Sequence, residues 1–172
     1  MAKNTIEKIF GANVYVDGDD FVGRANEVTL PNVNINMSDH QPLGYFSSVR
    51  LFNGVENMEL SVVWSSVVPE VFKRGPNQSL NLTIRAAQQV YQDGVLSEVQ
   101  PIVVFAKGRV LNKEFGNITG SDGGTRTTSF VVDYIRLTVN GEEMYEIDIL
   151  NRILRFAGVD IYASTRSALG LD

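Results

Sequence analysis

The sequence predicts a mainly β protein, a sandwich or barrel with short helices at its periphery. Apolar and polar residues alternate from Met58 to Trp64 and again from Leu80 to Ala86. A period of two is typical of a strand with one buried face. Helical periodicity is confined to the C-terminal end of the chain. About six to eight strands with little helix therefore predict a layered β fold.

The N-terminal half predicts a hairpin, a buried strand and one short helix. Residues 13–17 and 27–30 flank a polar segment that contains glycine, a pattern typical of a hairpin. Pro31 has no N–H, so it ends the second strand or places it at a sheet edge. The run 101–106 is apolar without alternation, which predicts a strand covered on both faces. A short helix is expected over residues 69–73.

The longest predicted strand spans residues 127–139 and returns over 143–147. Asn140 and Gly141 lie between them, and both tolerate the positive φ of a type I′ hairpin turn. Strict alternation along the long strand would place four apolar side chains on one face: Val131, Ile135, Leu137 and Val139.

Two short helices are predicted over residues 148–170. Asp148 is a candidate N-cap, and Gly158 a candidate left-handed stop. Asp160 would cap the second helix. Apolar residues at helical spacing would share one face of the first: Ile147, Leu150, Ile153, Leu154 and Ala157.

Two long connections stand out from this compact pattern. Residues 38–54 carry several apolar and aromatic side chains, and residues 116–125 form a glycine-rich tip between two long strands. Loops of such length are unusual and often functional. The apolar side chains on the first connection need a partner surface, in the same chain or a neighbour: Leu43, Tyr45, Phe46, Leu51 and Phe52.

Composition limits the classes of function. The 172 residues suit one domain, 1–172, with a net charge of −5 and a pI of about 4.9. An acidic chain with scattered cations argues against nucleic-acid binding. The absence of cysteine excludes disulfides, cysteine-liganded metals and a cysteine nucleophile. No apolar run approaches a membrane span and the first residues lack a signal-peptide core, so we expect a cytoplasmic protein without membrane insertion.

Candidate chemical motifs are weak, and no catalytic, cofactor-binding or metal-ligating residue is predicted. Residues 116–124 lack the Lys-Ser or Lys-Thr of a phosphate loop. Residues 17–20 lack the spacing of a calcium loop. Residues 38–40 are Ser-Asp-His, but a triad needs groups that converge from separate parts of a fold. The acidic residues of 142–148 are best interpreted as an exposed edge.

Assembly is the function class that remains. A β-rich chain with open sheet edges either aggregates or pairs its edges with copies of itself, and repeated heterologous contacts make rings or tubes. The rival class is a carbohydrate-binding sandwich whose Tyr45, Phe46 and Trp64 stack on sugars, although the position of Trp64 on an apolar face favours core packing.

The C-terminal third carries a motif that identifies a family. It reads NGEEMYEIDILNRI at 140–153, then GVD at 158–160 and SALGLD at 167–172. This resembles the C-terminal signature of the major tail tube proteins of contractile-tailed phages, a pattern that R-type pyocin tubes share. Looser matches occur in the N-terminal half: NVYVDG (13–18), EVTLPNV (27–33) and MELSVVW (58–64).

The resemblance implies a ring of six subunits whose strands join one inner β-barrel, with rings stacked into a tube inside a contractile sheath. Its implied partners are other copies of the chain, the tail sheath protein, a baseplate hub or tube initiator and a tape-measure protein. DNA would pass through the lumen without specific binding. Six chains of charge −5 give about −30 per ring, consistent with an acidic or neutral wall. The location implied is the virion tail, assembled in the host cytoplasm.

The resemblance also implies roles for individual residues. Tyr45 and Phe46 would dock on an adjacent subunit or ring, within an interface that includes Leu43, Leu51 and Phe52. Arg152 and Arg155, on a polar helix face, would point outward to the sheath or to a neighbour. The alternative is a tube subunit of a pyocin-like, type VI or extracellular injection system. No enzymatic role is expected.

Overall fold

The fold of the described residues, 4–21, 23–118 and 124–171 in a computed structural model, is built almost entirely of antiparallel strands. This confirms the predicted fold class. The strands are β1 Thr5–Val16, β2 Asp19–Asp20, β3 Ala25–Thr29, β4 Ile35–His40, β5 Val49–Val55, β6 Met58–Trp64, β7 Ser79–Gln92, β8 Val95–Glu114, β9 Arg126–Val139, β10 Glu142–Asp148, β11 Ile153–Phe156 and β12 Val159–Asp160. The helices are α1 Pro69–Phe72 and α2 Ala163–Ala168. In this part of the chain, no helix is long and apolar enough to cross a membrane.

One large sheet runs in the order β12-β11-β10-β9-β8-β7-β1-β2. Its central strand is β9, which pairs with β8 along one edge. The other edge of β9 pairs with β6 from Arg126 to Val132 and with β10 from Tyr134 to Val139. The two partners part at Asp133, whose carbonyl oxygen accepts a hydrogen bond from the N–H of Ile149 at 3.0 Å.

β3 and β6 belong to the same ten-stranded sheet as a branch attached to β9, and the core lies between this branch and the part of the sheet formed by β1, β7 and β8. Residues of β3 line a groove together with residues of β1, β7 and β8, so the fold has two layers. Met58, Leu60, Val62 and Trp64 are all 0% exposed, which confirms the alternation predicted for β6. The indole N–H of Trp64 donates to the hydroxyl of Thr128 at 3.3 Å, so its polar atom is satisfied within the core.

The predicted N-terminal hairpin is wrong in its pairing. Instead of β3, β1 pairs along its whole length with β7, from Thr5 opposite Gln92 to Val16 opposite Leu82. The tight turn after β1 leads only into the two-residue β2. The chain then buries Phe21 in the core and leaves β3 to pair with β6.

The prediction for residues 101–106 is also wrong in one respect. They belong to β8, the longest strand at 20 residues, which is covered on one face only. Val104 and Ala106 are buried in the core, whereas Val103 and Phe105 are half-buried on the opposite face. Because β8 also carries apolar residues on its uncovered face, its sequence does not alternate, and the pattern does not show that only one face is covered.

The prediction for the faces of β9 is right for Ile135, Leu137 and Val139, which share the core side, but wrong for Val131, because a bulge lies at Asp133. Lys107 pairs with Tyr134 and Gly108 with Val132, so Asp133 has no opposite residue. The extra residue shifts the alternation, and the core side therefore holds Phe130, Val132 and Ile135. A Cβ on Gly108 would lie 2.2 Å from the carbonyl oxygen of Val131, so only glycine permits this close approach.

The first C-terminal helix predicted over residues 148–157 is wrong. The Asp148 carboxylate does accept a backbone hydrogen bond, from the N–H of Asn151 at 2.9 Å, but it closes a turn. Arg152 then adopts a left-handed φ of 54°, which no helix interior allows, and β11 follows. The second helix is confirmed as the short α2.

Three local predictions are confirmed. Asn140 and Gly141 have φ values of 50° and 83°, as a type I′ turn requires. The helix α1 occupies most of residues 69–73, and its Val71 is 0% exposed. The strand β7 buries alternate residues from Leu80 onward.

The long connection 38–54 is a hairpin rather than an irregular loop. Strands β4 and β5 pair from Ile35 opposite Val55 to His40 opposite Val49, as a two-stranded sheet separate from the main one. We call residues 35–55 the arm. Of the glycine-rich tip, residues 119–123 lie outside the described residues.

Candidate assembly surfaces

The arm presents its apolar side chains to solvent. Leu43 and Phe46, at its tip, are 104% and 103% exposed, and Tyr45 is 61% exposed. Leu51 and Phe52, on β5, are 47% and 39% exposed. The structure therefore brings the five predicted interface residues onto one projecting element, although they do not form a closed cluster there.

An isolated hairpin of this kind gains little from its own fold. Two strands alone are marginally stable in water, and along the arm only Pro42, Gly54 and Val55 are even half-buried. Burying one large apolar side chain contributes about 1.5–3 kcal/mol. The arm therefore has much to gain from a partner surface that lies outside the monomer fold.

The root of the arm, the part that includes Phe52 and Val55, is in contrast held in place by the C-terminal segment. The Phe52 ring lies 5.7 Å from the Tyr162 ring, between centroids. The Asp160 carboxylate accepts from the N–H of Tyr162 at 3.0 Å and from the Arg166 guanidinium at 2.8 Å. These hydrogen bonds, above all the one from Arg166, lower the pKa of Asp160 below its ordinary value. A cavity of about 320 Å³ lies beside Val55 at this root.

Arg152 and Arg155 do not share a helix face, because there is no helix at these positions. Arg152 lies in the exposed turn before β11, and its carbonyl oxygen accepts from Arg166 at 2.8 Å. Arg155 lies on β11, where its guanidinium pairs with Glu146 and lies 3.7 Å from Glu143. Arg155 is thus engaged within the chain, and Arg152 presents the more accessible cation.

A second apolar surface lies where the main sheet extends beyond the core. Over residues 5–13, β1 pairs with β7 on one edge and has no described strand on the other. Unpaired edges of this length are templates for another strand. The exposed apolar residues of this extension are Ile6, Ile9 and Phe10 of β1 and Val95, Leu96 and Val99 of β8.

The main sheet also has a solvent-facing side, which we call the free face: the face of β1, β7, β8, β9 and β10 turned away from the core. Arg85 on β7, Lys107 on β8 and Arg136 on β9 are exposed there, each next to a buried residue of the opposite face. Within the described residues, their side chains make no ion pair or hydrogen bond. Lys107 borders a groove of about 670 Å³ on this face.

Four anionic side chains of the free face on β9 and β10 have partners within the chain: Asp133, Glu143, Glu146 and Asp148. Arg109 pairs with Asp133 at 3.3 Å, and Arg155 pairs with Glu146. Glu59 of β6 and Glu114 of β8 lie on the same side of the sheet, opposite Val131 and Thr127 of β9, so this side carries charges of both signs. Sequence reasoning did not place these charges, because net charge does not show where each charge lies.

Tyr134 lies on the free face, next to the bulge at Asp133. Its hydroxyl donates to the Glu146 carboxylate at 2.7 Å, and its ring packs edge-on against Phe105 at 5.8 Å between centroids. Burial, followed by the hydrogen bond and the charge of Glu146, raises the pKa of Tyr134 to about 12.

In the part of the chain that the structure describes, the weaker chemical motifs form no catalytic constellation. The Asp17 carboxylate accepts from the N–H of Asn81 at 2.9 Å and pairs with Arg74, so it fixes the β1–β2 turn. The described residues contain no cluster of metal-ligating side chains. Residues 38–40 lie along the exposed β4. Trp64 is 0% exposed, so it cannot stack on a sugar.

Comparisons with known proteins agree with an assembly role. The family model for "Phage tail tube protein FII" matches residues 6–170. The tail tube protein of Escherichia phage P2 is 27% identical over 165 residues, 92% of this chain and 94% of that protein. The major tail tube protein of Serratia phage KSP20 is 29% identical over 161 residues, 92% of each. The cryo-EM structure of the PVC sheath/tube terminator of an extracellular contractile injection system, in the extended state, shares the fold: its TM-score is 0.50 at 11% identity, over 74% of this chain and 92% of that one.

Proposed function

This chain belongs to the phage tail tube protein FII family, and from that premise we propose that it builds the inner tube of a contractile tail as stacked six-membered rings. The match spans nearly the whole chain, and this is the observation that carries the proposal. The role is structural, so the chain needs surfaces for its own copies and no reaction centre.

Within a ring, the free edge of β1 supplies the lateral contact. Residues 5–13 carry unpaired backbone groups, and β-strand addition by a neighbouring subunit would satisfy them. The other end of the main sheet has its own short edge strand, β12. Head-to-tail pairing of two different edges is a heterologous contact, which closes into a ring when the rotation between subunits fits.

Between subunits or rings, the arm supplies the second contact. Phe46 and Leu43 are as exposed as side chains can be, and central apolar anchors of this type dominate interface energetics. A root fixed on Tyr162 and a tip free to reach outward suit a clamp on an adjacent copy.

The remaining partners follow from the proposed tube. A sheath protein surrounds it, with Arg152 as the outward cation, and a baseplate hub or initiator nucleates it. A tape-measure protein sets its length, and DNA passes through its lumen during ejection. The tube is part of the virion tail, assembled in the host cytoplasm, and it requires no membrane insertion and no enzymatic activity.

A second candidate is a tube subunit of a pyocin-like, type VI or extracellular injection system. The observation that favours it is the fold shared with a component of an extracellular contractile injection system. Genes for a capsid beside the tube gene would identify a phage, and their absence from a complete tail operon would identify an injection system.

The test uses purified protein, size-exclusion chromatography with light scattering, and negative-stain electron microscopy with rotational averaging. We expect rings or tubes of six-fold symmetry. The double variant Tyr45→Ser/Phe46→Ser should stay folded and soluble but form no tubes, because it lacks the arm anchors. A matched control, Val67→Ser/Leu171→Ser, removes two apolar side chains that are 48% and 51% exposed elsewhere and should still assemble.

Rings of another symmetry would contradict the proposed hexamer. Intact tubes from the arm variant would show that the arm is not the clamp, while leaving the lateral contact in place. Circular dichroism of each variant separates a lost interface from a lost fold.

A further inference from the structure

An apolar groove opens on the core side of the main sheet, beside the free edge of β1. Its floor is formed by Val14, Ile84 and Val104, which belong to the buried core. Ala86 and Ile102 are half-buried in its wall, and β3 borders it on one side. The groove has a volume of about 230 Å³, and ten of its twelve lining residues are apolar. Water in such a recess finds few hydrogen-bond partners, so an apolar side chain inserted from outside lowers the free energy.

The arm lies on the same side of the sheet, at the other end. The cavity at its root is lined by Val55 of the arm and by Ile147 and Leu154 of β10 and β11. The latter two side chains belong to the buried core, so the root is on the core side. In the order of the strands, β10 and β11 lie toward one end of the sheet and β1 toward the other. The arm and the groove therefore occupy opposite ends of one side.

The arm root and the groove also lie at similar positions along the strands. Ile147, beside the root, pairs with Ile135 of β9. Ile102, in the groove, pairs with Val139 of the same strand. Both positions therefore lie on the C-terminal side of the bulge at Asp133, four residues apart along β9.

We propose that the groove receives the tip of the arm from a neighbouring copy of the chain, with Phe46 as the inserted side chain. This rests on the proposed function, in which the β12 end of one main sheet meets the β1 edge of the next. That head-to-tail contact carries the arm of one copy over the groove of the next, since both lie on the same side of the sheet. Phe46 is 103% exposed in its own chain, and aromatic side chains that fill pockets dominate interface energetics.

The groove is continuous with the proposed lateral contact along β1. Ile9 and Ala12 line the groove, and both belong to the stretch 5–13 that has no described strand on its outer edge. A neighbour that pairs with this edge is thus placed beside the groove. The two contacts together fix the rotation between adjacent subunits, which decides whether a ring closes.

The first test uses the absence of cysteine from the natural chain. Ser47→Cys, next to Phe46 at the arm tip, and Asn26→Cys, at the rim of the groove, are made in separate chains, mixed in equal amounts and assembled. Both positions are exposed. A short bis-maleimide then links cysteines that lie close together, and mass spectrometry of the peptides identifies the linked positions. The matched control uses Thr165→Cys in place of Asn26→Cys, because Thr165 is an exposed residue at the cavity beside the arm root.

We expect the link from Ser47→Cys to Asn26→Cys to be roughly tenfold more abundant than the link to Thr165→Cys, because docking raises the local concentration of the two thiols. A natural chain that assembles while the Asn26→Cys link is absent or no more abundant than the control overturns the groove and leaves the tube in place. Linking mainly to Thr165→Cys would assign the arm to the root cavity and overturn the groove as well. A natural chain that stays monomeric in light scattering overturns both the tube and the groove.

The second test fills the groove without changing the arm. Ala86→Phe places a ring in the groove, whereas Ala87→Phe places the same ring on the opposite face of the same strand. We expect Ala86→Phe to raise the protein concentration needed for assembly roughly tenfold or more, and Ala87→Phe to change it by less than about twofold. Circular dichroism and thermal unfolding show whether each variant is folded. Equal effects of the two variants would overturn the proposal, and if Ala86→Phe does not fold, the cross-linking result decides alone.

Discussion

Strand β6 and the arm lie side by side in the sequence, separated by residues 56–57, yet they reach opposite extremes of burial. The inward-facing apolar residues of β6 are 0% exposed, whereas Leu43 and Phe46 at the tip of the arm are fully exposed. Both segments are β-structure rich in large apolar side chains. Local propensity therefore does not distinguish them, and the difference lies in what each strand pairs with.

The β6 side chains are buried because β3 and β9 flank β6 on both edges and its inner face meets the main sheet. Among the described residues the strands of the arm pair only with each other, and the apolar side chains at the arm tip are exposed, so we expect a second molecule to cover them. The contrast separates stability from assembly: substitutions in β6 should unfold the subunit, and substitutions in the arm tip should leave it folded but unable to assemble.

The largest expected effect comes from Trp64→Ala. It removes a fully buried indole and leaves a cavity, so we expect a loss of about 3–5 kcal/mol in the free energy of unfolding. Phe46→Ala deletes a ring of similar size from solvent and should change that free energy by less than about 0.5 kcal/mol. Urea unfolding of the monomer, followed by circular dichroism, measures both.

Comparable losses in the two variants would break the distinction between core and arm. A stable Trp64→Ala variant would mean that the cavity collapses or fills. A destabilised Phe46→Ala variant would mean that the arm folds back on its own subunit in solution.

An intermediate effect is expected at the root of the arm, where the two regions meet. Asp160→Asn weakens the charge-assisted bond from Arg166 and so loosens the segment that carries Tyr162. We expect a loss of roughly 1–2 kcal/mol, together with reduced ordering of the arm. Hydrogen exchange along β4 and β5 measures the ordering, and urea unfolding measures the stability.

The contribution of Asp160 also has a defined pH dependence. Its pKa in the fold lies below the ordinary value of 3.8, so its stabilisation is present above pH 3.8 and is lost as pH falls through the lowered pKa. Asp160→Asn should lack this part of the acid transition. If its acid limb matches that of the natural chain, the Asp160 carboxylate does not fix the root.

Where one face of a strand is buried and the other is exposed to solvent, the sequence was sufficient to predict the strand and its buried face. β6 and β7 alternate because the core covers one side of each. The Asn140-Gly141 turn was predictable because both positive φ values suit those residues. For the five arm residues the sequence indicated that they need a partner surface, in the same chain or in a neighbour, because a long connection carries so many apolar side chains.

Other features depend on information that no local window contains. The partner of β1 is β7, so Thr5 pairs with Gln92, which lies far from it in the sequence. Asp148 was expected to cap a helix, but its hydrogen bond from a backbone N–H closes a turn. A helix cap and a turn use the same type of bond, and the left-handed φ of Arg152 is what distinguishes them here. The bulge at Asp133 could not be predicted without knowing that β6 and β10 pair with different parts of the same edge of β9.

The smallest expected effect comes from Tyr134→Phe, on the well-packed side of the comparison. The change removes one hydrogen bond to Glu146 and keeps the ring packed against Phe105. We expect a loss of about 0.5–1.5 kcal/mol in the free energy of unfolding near neutral pH.

The pKa of Tyr134 is about 12 in the fold and 10.0 in the unfolded chain, so its stabilisation is present below pH 10 and is lost as pH rises toward 12. Tyr134→Phe should therefore converge with the natural chain as pH rises through this window in urea unfolding. Tyr91→Phe, whose hydroxyl bonds only to Gln89, serves as the control. A constant difference between the natural chain and Tyr134→Phe would mean that burial and Glu146 do not raise the pKa of Tyr134 in the fold.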